Sequence, residues 1–209
     1  MSSFVVGLDL GQVSDFTAIA VVEVLTGDGK NGFPGEPSYH VRHLQRFKLG
    51  TPYPEVVAQV GTLMGNLKDP GALLAVDGTG VGRPVVDLLR KAGLNPVSIT
   101  ITAGDKVIHE GREYRVPKRD LVGALTVAFQ GEKLKIAAAL PDSKTLIQEL
   151  LTFKVRIDPK TAHDSYDTWR EGIHDDLVLA TGIALWTAQK IVPTTGSKFP
   201  IIGIKRRGW

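Results

Sequence analysis

An aspartate inside the first apolar run constrains this chain more than any other feature. The run reads Phe4-Val5-Val6-Gly7-Leu8-Asp9-Leu10-Gly11. Its apolar, partly β-branched composition is that of a buried strand. A carboxylate in such a strand costs several kcal/mol unless something compensates its charge. A cation is the simplest compensation. Asp15, Thr17 and a second apolar run over residues 18–24 follow closely. Taken alone, Asp9 is equally a turn residue closing a strand, so the case depends on what else converges with it.

The remaining pattern predicts an alternation of elements. Residues 4–9, 17–25 and 39–49 read as three sequential strands, with the Gly/Pro-rich stretch 27–37 as a long loop between the last two. Over residues 53–67, Val56, Val57, Val60, Leu63, Met64 and Leu67 recur at helical spacing, and Pro54 suits the first turn. Residues 72–76 form a short apolar strand ending at Asp77-Gly78-Thr79-Gly80, and a helix over 84–92 stops at Gly93. A strand over 95–102, a hairpin over 106–116 turning at Gly111, a helix over 118–129 and a short strand over 133–138 come next. They are followed by a helix over 143–151, a strand over 153–157 and a polar connector over 163–169. The last helix spans about 175–190, and its apolar centre, residues 177–186, predicts burial against a sheet. One domain over 1–190 and a basic tail over 191–209, with Lys205, Arg206 and Arg207, are expected.

The order β-β-β-α-β-α-β, followed by further α and β, is the threading of a ribonuclease H-like fold: an α/β protein with a mixed central sheet flanked by helices. In such a sheet the first strand lies beside the fourth and parallel to it. Asp9 and Asp77 would then face each other at the carboxyl ends of neighbouring strands, where open α/β sheets gather ligands. Their separation would be about one inter-strand spacing of roughly 4.8 Å, which bare carboxylates resist and a divalent cation relieves. The third acidic site is His174-Asp175-Asp176 at the start of the buried helix. Adjacent helical residues point about 100° apart, so at most one of the two aspartates is a primary ligand while the other caps the helix or faces solvent. Asp176 is favoured, because Ala180 and Ala184 stand one and two turns beyond it and permit close approach to the sheet. His174 reads as structural more readily than as a ligand or proton shuttle. Oxygen donors without cysteine suit Mg²⁺ or Mn²⁺ better than structural zinc.

These residues resemble a known family. The segments Gly7-Leu8-Asp9-Leu10-Gly11 with Asp15-Phe16-Thr17-Ala18, Val76-Asp77-Gly78-Thr79-Gly80-Val81-Gly82 with Val85-Val86-Asp87-Leu88-Leu89, and His174-Asp175-Asp176-Leu177-Val178-Leu179-Ala180 are similar to the nuclease domain of the phage large terminase subunit. The likeness covers residues 4–189. It implies that Asp9, Asp77 and Asp176 bind two divalent metal ions, with Asp175 as an auxiliary, and that they catalyse cutting of concatemeric double-stranded viral DNA during packaging. It also implies a packaging ATPase domain, the small terminase and the portal as partners, and the host cytoplasm as the setting. The chain departs from a complete large terminase in lacking a Gly-x-x-x-x-Gly-Lys-Ser/Thr phosphate loop, so an excised nuclease domain or a free-standing relative is expected.

Around the predicted hairpin, Lys106, Arg112, Arg115, Lys118 and Arg119 offer contacts to DNA phosphates. Asp105, Glu110, Glu113 and Asp120 are interleaved with them, so a solvated hairpin with ordinary charge pairing is the equal alternative. A net charge of +3 does not choose between the two. The absence of cysteine excludes disulfides and thiol chemistry. No signal segment or bilayer-length apolar run is evident, which predicts a cytosolic protein without membrane contact. A rival reading is an actin-like or sugar-kinase ATP-binding domain, which shares the Asp-x-Gly turn and the Asp-Gly-Thr-Gly loop. A Holliday-junction resolvase on the same scaffold is another.

Overall fold

Alternating burial along the central strands divides the molecule into layers. The computed structural model describes residues 2–11, 15–28, 34–67, 72–80, 82–156 and 175–192. Strands β1 (Ser2–Asp9), β2 (Ala18–Asp28) and β3 (Pro34–Arg46) form an antiparallel meander, followed by helix α1 (Tyr53–Asn66). Next come β4 (Leu73–Asp77), α2 (Gly82–Lys91), β5 (Val97–Thr102), β6 (Ile108–Glu110), β7 (Glu113–Pro117) and α3 (Lys118–Gln130). The described elements end with β8 (Leu134–Ile136), α4 (Ser143–Arg156) and α5 (Asp176–Lys190). One sheet contains all eight strands in the order β6-β7-β5-β4-β1-β2-β3-β8, with β1, β4, β5 and β7 parallel to one another.

Successive side chains of a strand point to opposite faces, so each strand feeds two cores. Val5 and Ala75 join Ala18, Ile99 and the buried side of α5 on one face, while Val6, Leu8, Leu74 and Val76 join α1 and α2 on the other. The result is a three-layer α/β/α arrangement with α3, α4 and α5 on the first face. Helix α5 is buried nearly all round, as its apolar centre predicts, with Trp186 only 1% exposed and edge-on to Tyr114 at 5.7 Å.

Two expectations are corrected. The strand predicted over 153–157 is absent as far as the described residues go, because α4 continues to Arg156; Ile157 lies outside them. Alternation of Phe153 and Val155 imitates a strand, but no glycine or proline breaks the helix between Ser143 and Arg156. The long loop over 27–37 is also shorter than predicted, since β2 and β3 extend into it and pair Thr26 with Pro37 and Asp28 with Pro34. β3 tolerates these prolines because β8 covers only Tyr39 to Val41 on its other side, leaving the proline segment as an edge. The connector over 163–169, His174 and residues 193–209 of the tail lie outside the described residues.

Candidate active site

Register places the acids. The parallel β1–β4 pairing sets Leu8 against Val76, so the next position along both strands sets Asp9 beside Asp77. Strand pairings continue the row in both directions: Asp9 to Ala18 to Arg46 on one side, and Asp77 to Ile99 to Tyr114 on the other. Paired residues share a face, and Ala18 and Ile99 belong to the core beneath α5. Asp9 and Asp77 therefore stand side by side at the carboxyl ends of two central parallel strands, on the face that α5 covers. Both are buried, at 6% and 3% exposure.

The loop after β4 is tightly cinched. The Thr79 backbone N–H donates to Asp77 Oδ1 at 2.8 Å, Gly78 N–H donates to the Ile99 carbonyl at 2.8 Å, and Ile101 N–H donates to Thr79 Oγ1 at 3.0 Å. A side chain at Gly82 would collide with the Asp77 carbonyl, which explains the glycine there. The turn after β1 is closed by Thr17, whose hydroxyl accepts from Gly11 N–H at 3.2 Å, while Tyr53 donates to the Gly11 carbonyl at 2.9 Å. Thr17 thus shapes the turn.

Helix α5 reaches the same edge because Gly7 lets it sit on β1. A Cβ at Gly7 would collide with the Ala180 carbonyl and stand 2.9 Å from Ala184 N, so the small residues flagged in the sequence do meet the sheet. Asp176 opens the helix, is 4% exposed, and lies 3.4 Å from Arg46 Nη2 through its Oδ2. Asp175 occupies the cap position, but its side chain makes no capping hydrogen bond. Among the described residues, no three His, Cys, Asp or Glu side chains are gathered closely enough to hold a cation as they stand.

Two participants are absent from the sequence reading. Glu149, on α4, is 7% exposed; it pairs with Arg46 and accepts a hydrogen bond from the Val178 N–H at 3.1 Å, satisfying a donor in the first turn of α5. Burial pushes its carboxyl up to about 7, against the opposing pull of Arg46 and Val178 N–H and with the help of Asp176 and Asp175. Despite the close ion pair, desolvation is the larger effect. The signal was available: Glu149 interrupts a helical stripe with Leu146 and Leu150, and Arg46 follows Leu44 on the core face of its strand.

The predicted DNA-contacting side chains are divided. Arg119 is engaged with Asp105 at 2.8 Å and with Asp120 at 3.8 Å. Arg112 is half-buried and donates to the Pro96 carbonyl at 3.4 Å, and burial lowers its pKa. Lys106 and Arg115 are exposed and make no ion pair among the described residues, while Lys118 begins α3 just beyond the carboxyl end of β7. The hairpin itself forms as expected, with Gly111 in the left-handed region at φ 57°.

No protein-family model matches this chain, and no curated protein does. Solved structures do. The crystal structure of the large terminase nuclease from thermophilic phage G20c superposes with a TM-score of 0.56 at 17% identity, covering 90% of this chain and 82% of that one. The fold is ribonuclease H-like. The zinc-bound structure of the same phage nuclease matches equally, at 20% identity over 90% and 81% of the two chains with a TM-score of 0.56. A Thermus thermophilus RuvC structure matches at 14% identity over 88% and 92%, with a TM-score of 0.41. As in the sequence-based expectation, the ribonuclease H-like sheet places β1 beside β4, and it is this adjacency that pairs Asp9 with Asp77.

Proposed function

We propose that this chain is a two-metal-dependent DNA endonuclease that cuts double-stranded DNA in the manner of a large terminase nuclease. One observation carries the reading: two buried aspartates stand adjacent at the carboxyl ends of β1 and β4, on the face where α5 brings in a third. Neighbouring buried carboxylates repel and are poorly hydrated, a combination that a divalent cation relieves. The donor set fits Mg²⁺ or Mn²⁺, since it is all oxygen and the chain has no cysteine. Support also comes from the fold shared with a phage nuclease that has been seen with zinc.

Asp9, Asp77 and Asp176 would hold the ions, with Asp175 as an auxiliary. Such ions supply an activated water and stabilise the leaving oxygen of a phosphodiester. The chain's own contribution is orientation. Thr79 N–H holds Asp77 Oδ1, and Glu149 anchors the first turn of α5 beneath Asp176. Lys106, Arg115 and Lys118 supply charge for backbone phosphates, a mode that positions DNA without reading its sequence. Cutting of concatemers alongside a packaging ATPase domain, the small terminase and the portal is the biological role consistent with this chemistry.

Supercoiled plasmid incubated with purified protein in Mn²⁺, Mg²⁺ or EDTA tests the reading. Conversion to open-circular or linear DNA is expected with either metal, and loss of it in Asp9→Asn and Asp77→Asn while both variants stay folded. Cleavage at near wild-type rate in Asp9→Asn would overturn the assignment.

A further inference from the structure

Arg46 forms an ion pair with Asp176 in this structure. It ends β3, two strands from Asp9 in the transverse row, a Cα separation of about 10 Å at ordinary strand spacing. Its Nη2 pairs with Glu149 Oε1 and lies 3.4 Å from Asp176 Oδ2, and the guanidinium carbon lies 4.7 Å from the centre of the Phe16 ring. With its side chain 19% exposed, the guanidinium is seated between two acids and an aromatic face. Asp176 is therefore engaged on the β3 side of the row, whereas Asp77 lies on the opposite side of Asp9. That placement agrees with the absence, among the described residues, of three acids already gathered to hold a cation.

We propose that Arg46 is a positioning residue that clasps Asp176 away from Asp9 and Asp77, and that Glu149 sets how firmly the clasp holds. The inference rests on reading these aspartates as a metal centre. A divalent cation collected by Asp9 and Asp77 gains its third carboxylate only when Asp176 leaves the guanidinium. Opening the clasp does not strand a buried positive charge, because Glu149 keeps Arg46 paired. Glu149 in turn stays fixed through the Val178 N–H. The two residues thus act on cation affinity with opposite signs: Arg46 competes with the cation for Asp176, and Glu149 draws Arg46 off.

Calorimetric titration of Mn²⁺ alone into the chain, without DNA, separates the possibilities, with thermal unfolding as the check on folding. Arg46→Gln is expected to tighten the Mn²⁺ Kd by about tenfold, equivalent to about 1.4 kcal/mol. Glu149→Gln, which keeps an oxygen to accept from Val178, is expected to weaken it several-fold. Arg46→Lys keeps the charge but not the guanidinium whose Nη2 meets both acids and which lies over the Phe16 ring, so its affinity should fall between wild type and Arg46→Gln. Mn²⁺ binding that is lost in Asp9→Asn but unchanged or weaker in Arg46→Gln would overturn the clasp while leaving the metal centre intact. An Arg46→Lys affinity equal to wild type would also overturn it, since charge alone would then be acting. If Arg46→Gln does not fold, Glu149→Gln decides: weaker binding supports the clasp, and unchanged or tighter binding overturns it. Absence of Mn²⁺ binding in wild type, or binding indifferent to Asp9→Asn, would overturn the metal centre and the clasp together.

Discussion

Glu149 is where burial and charge compete most directly. Desolvation pushes its carboxyl from an ordinary 4.5 to about 7, so between those values the folded chain retains a proton that the unfolded chain has released. The contribution of this group to stability is accordingly full below about pH 4.5 and declines as pH rises towards 7. Glutamine at this position has no such slope. The unfolding free energy of Glu149→Gln relative to wild type is therefore expected to rise across the window and level off above it, as read by urea unfolding at a series of pH values. A constant difference would contradict the raised carboxyl. Asp9, Asp77 and Asp176 were legible in the sequence because each is a charge at the end or start of an apolar run. Glu149 and Arg46 carry only a weak local sign, a charge at a core-facing position, and their pairing emerges only when α4 packs beside the end of β3.

Among the elements, α5 matters most, since its seat on β1 decides where Asp176 lies. Gly7→Ala would drive a methyl into the Ala180 carbonyl and against Ala184 N, both backbone atoms that cannot rotate aside. Overpacking of this kind typically costs about 1–3 kcal/mol and occasionally more. A lower urea midpoint and a disproportionate loss of DNA cleavage are expected, because the displaced helix carries an acid of the site. Gly61→Ala is the contrasting case. That glycine lies within α1 with open space around its Cβ, so alanine should stabilise by about 0.5–1 kcal/mol and leave cleavage alone. Equal effects of the two substitutions on cleavage would refute the role given to the β1–α5 contact. Helical and strand periodicity made most elements readable, and it misled at Phe153 and Val155, where a two-residue alternation was outweighed by an uninterrupted helix.

On the scale of the molecule, the proposed cation links elements far apart in sequence, so it should also stabilise the fold. A ligand that binds only the native state at one hundred times its Kd adds about 2.7 kcal/mol. For a chain of this size that corresponds to a rise in Tm of roughly 5–10 °C. A rise with Mn²⁺ that EDTA reverses and Asp9→Asn abolishes is expected in a thermal scan, and an unchanged Tm in wild type would count against a native-state cation site. Among the described residues no helix is long and apolar enough to cross a membrane.

The sequence by itself determined the succession of strands and helices, the apolar character of α5 and the acids at the ends of β1 and β4, because periodicity and charge within apolar runs are local properties. The parallel pairing of β1 with β4 followed from that succession once it was read as a ribonuclease H-like threading. Only the tertiary structure decided that Arg46 meets both Asp176 and Glu149, which lies 103 residues away along the chain. Such a meeting depends on how far β3 extends and how α4 packs beside α5, and pairwise contacts over that separation leave no periodic trace in the sequence.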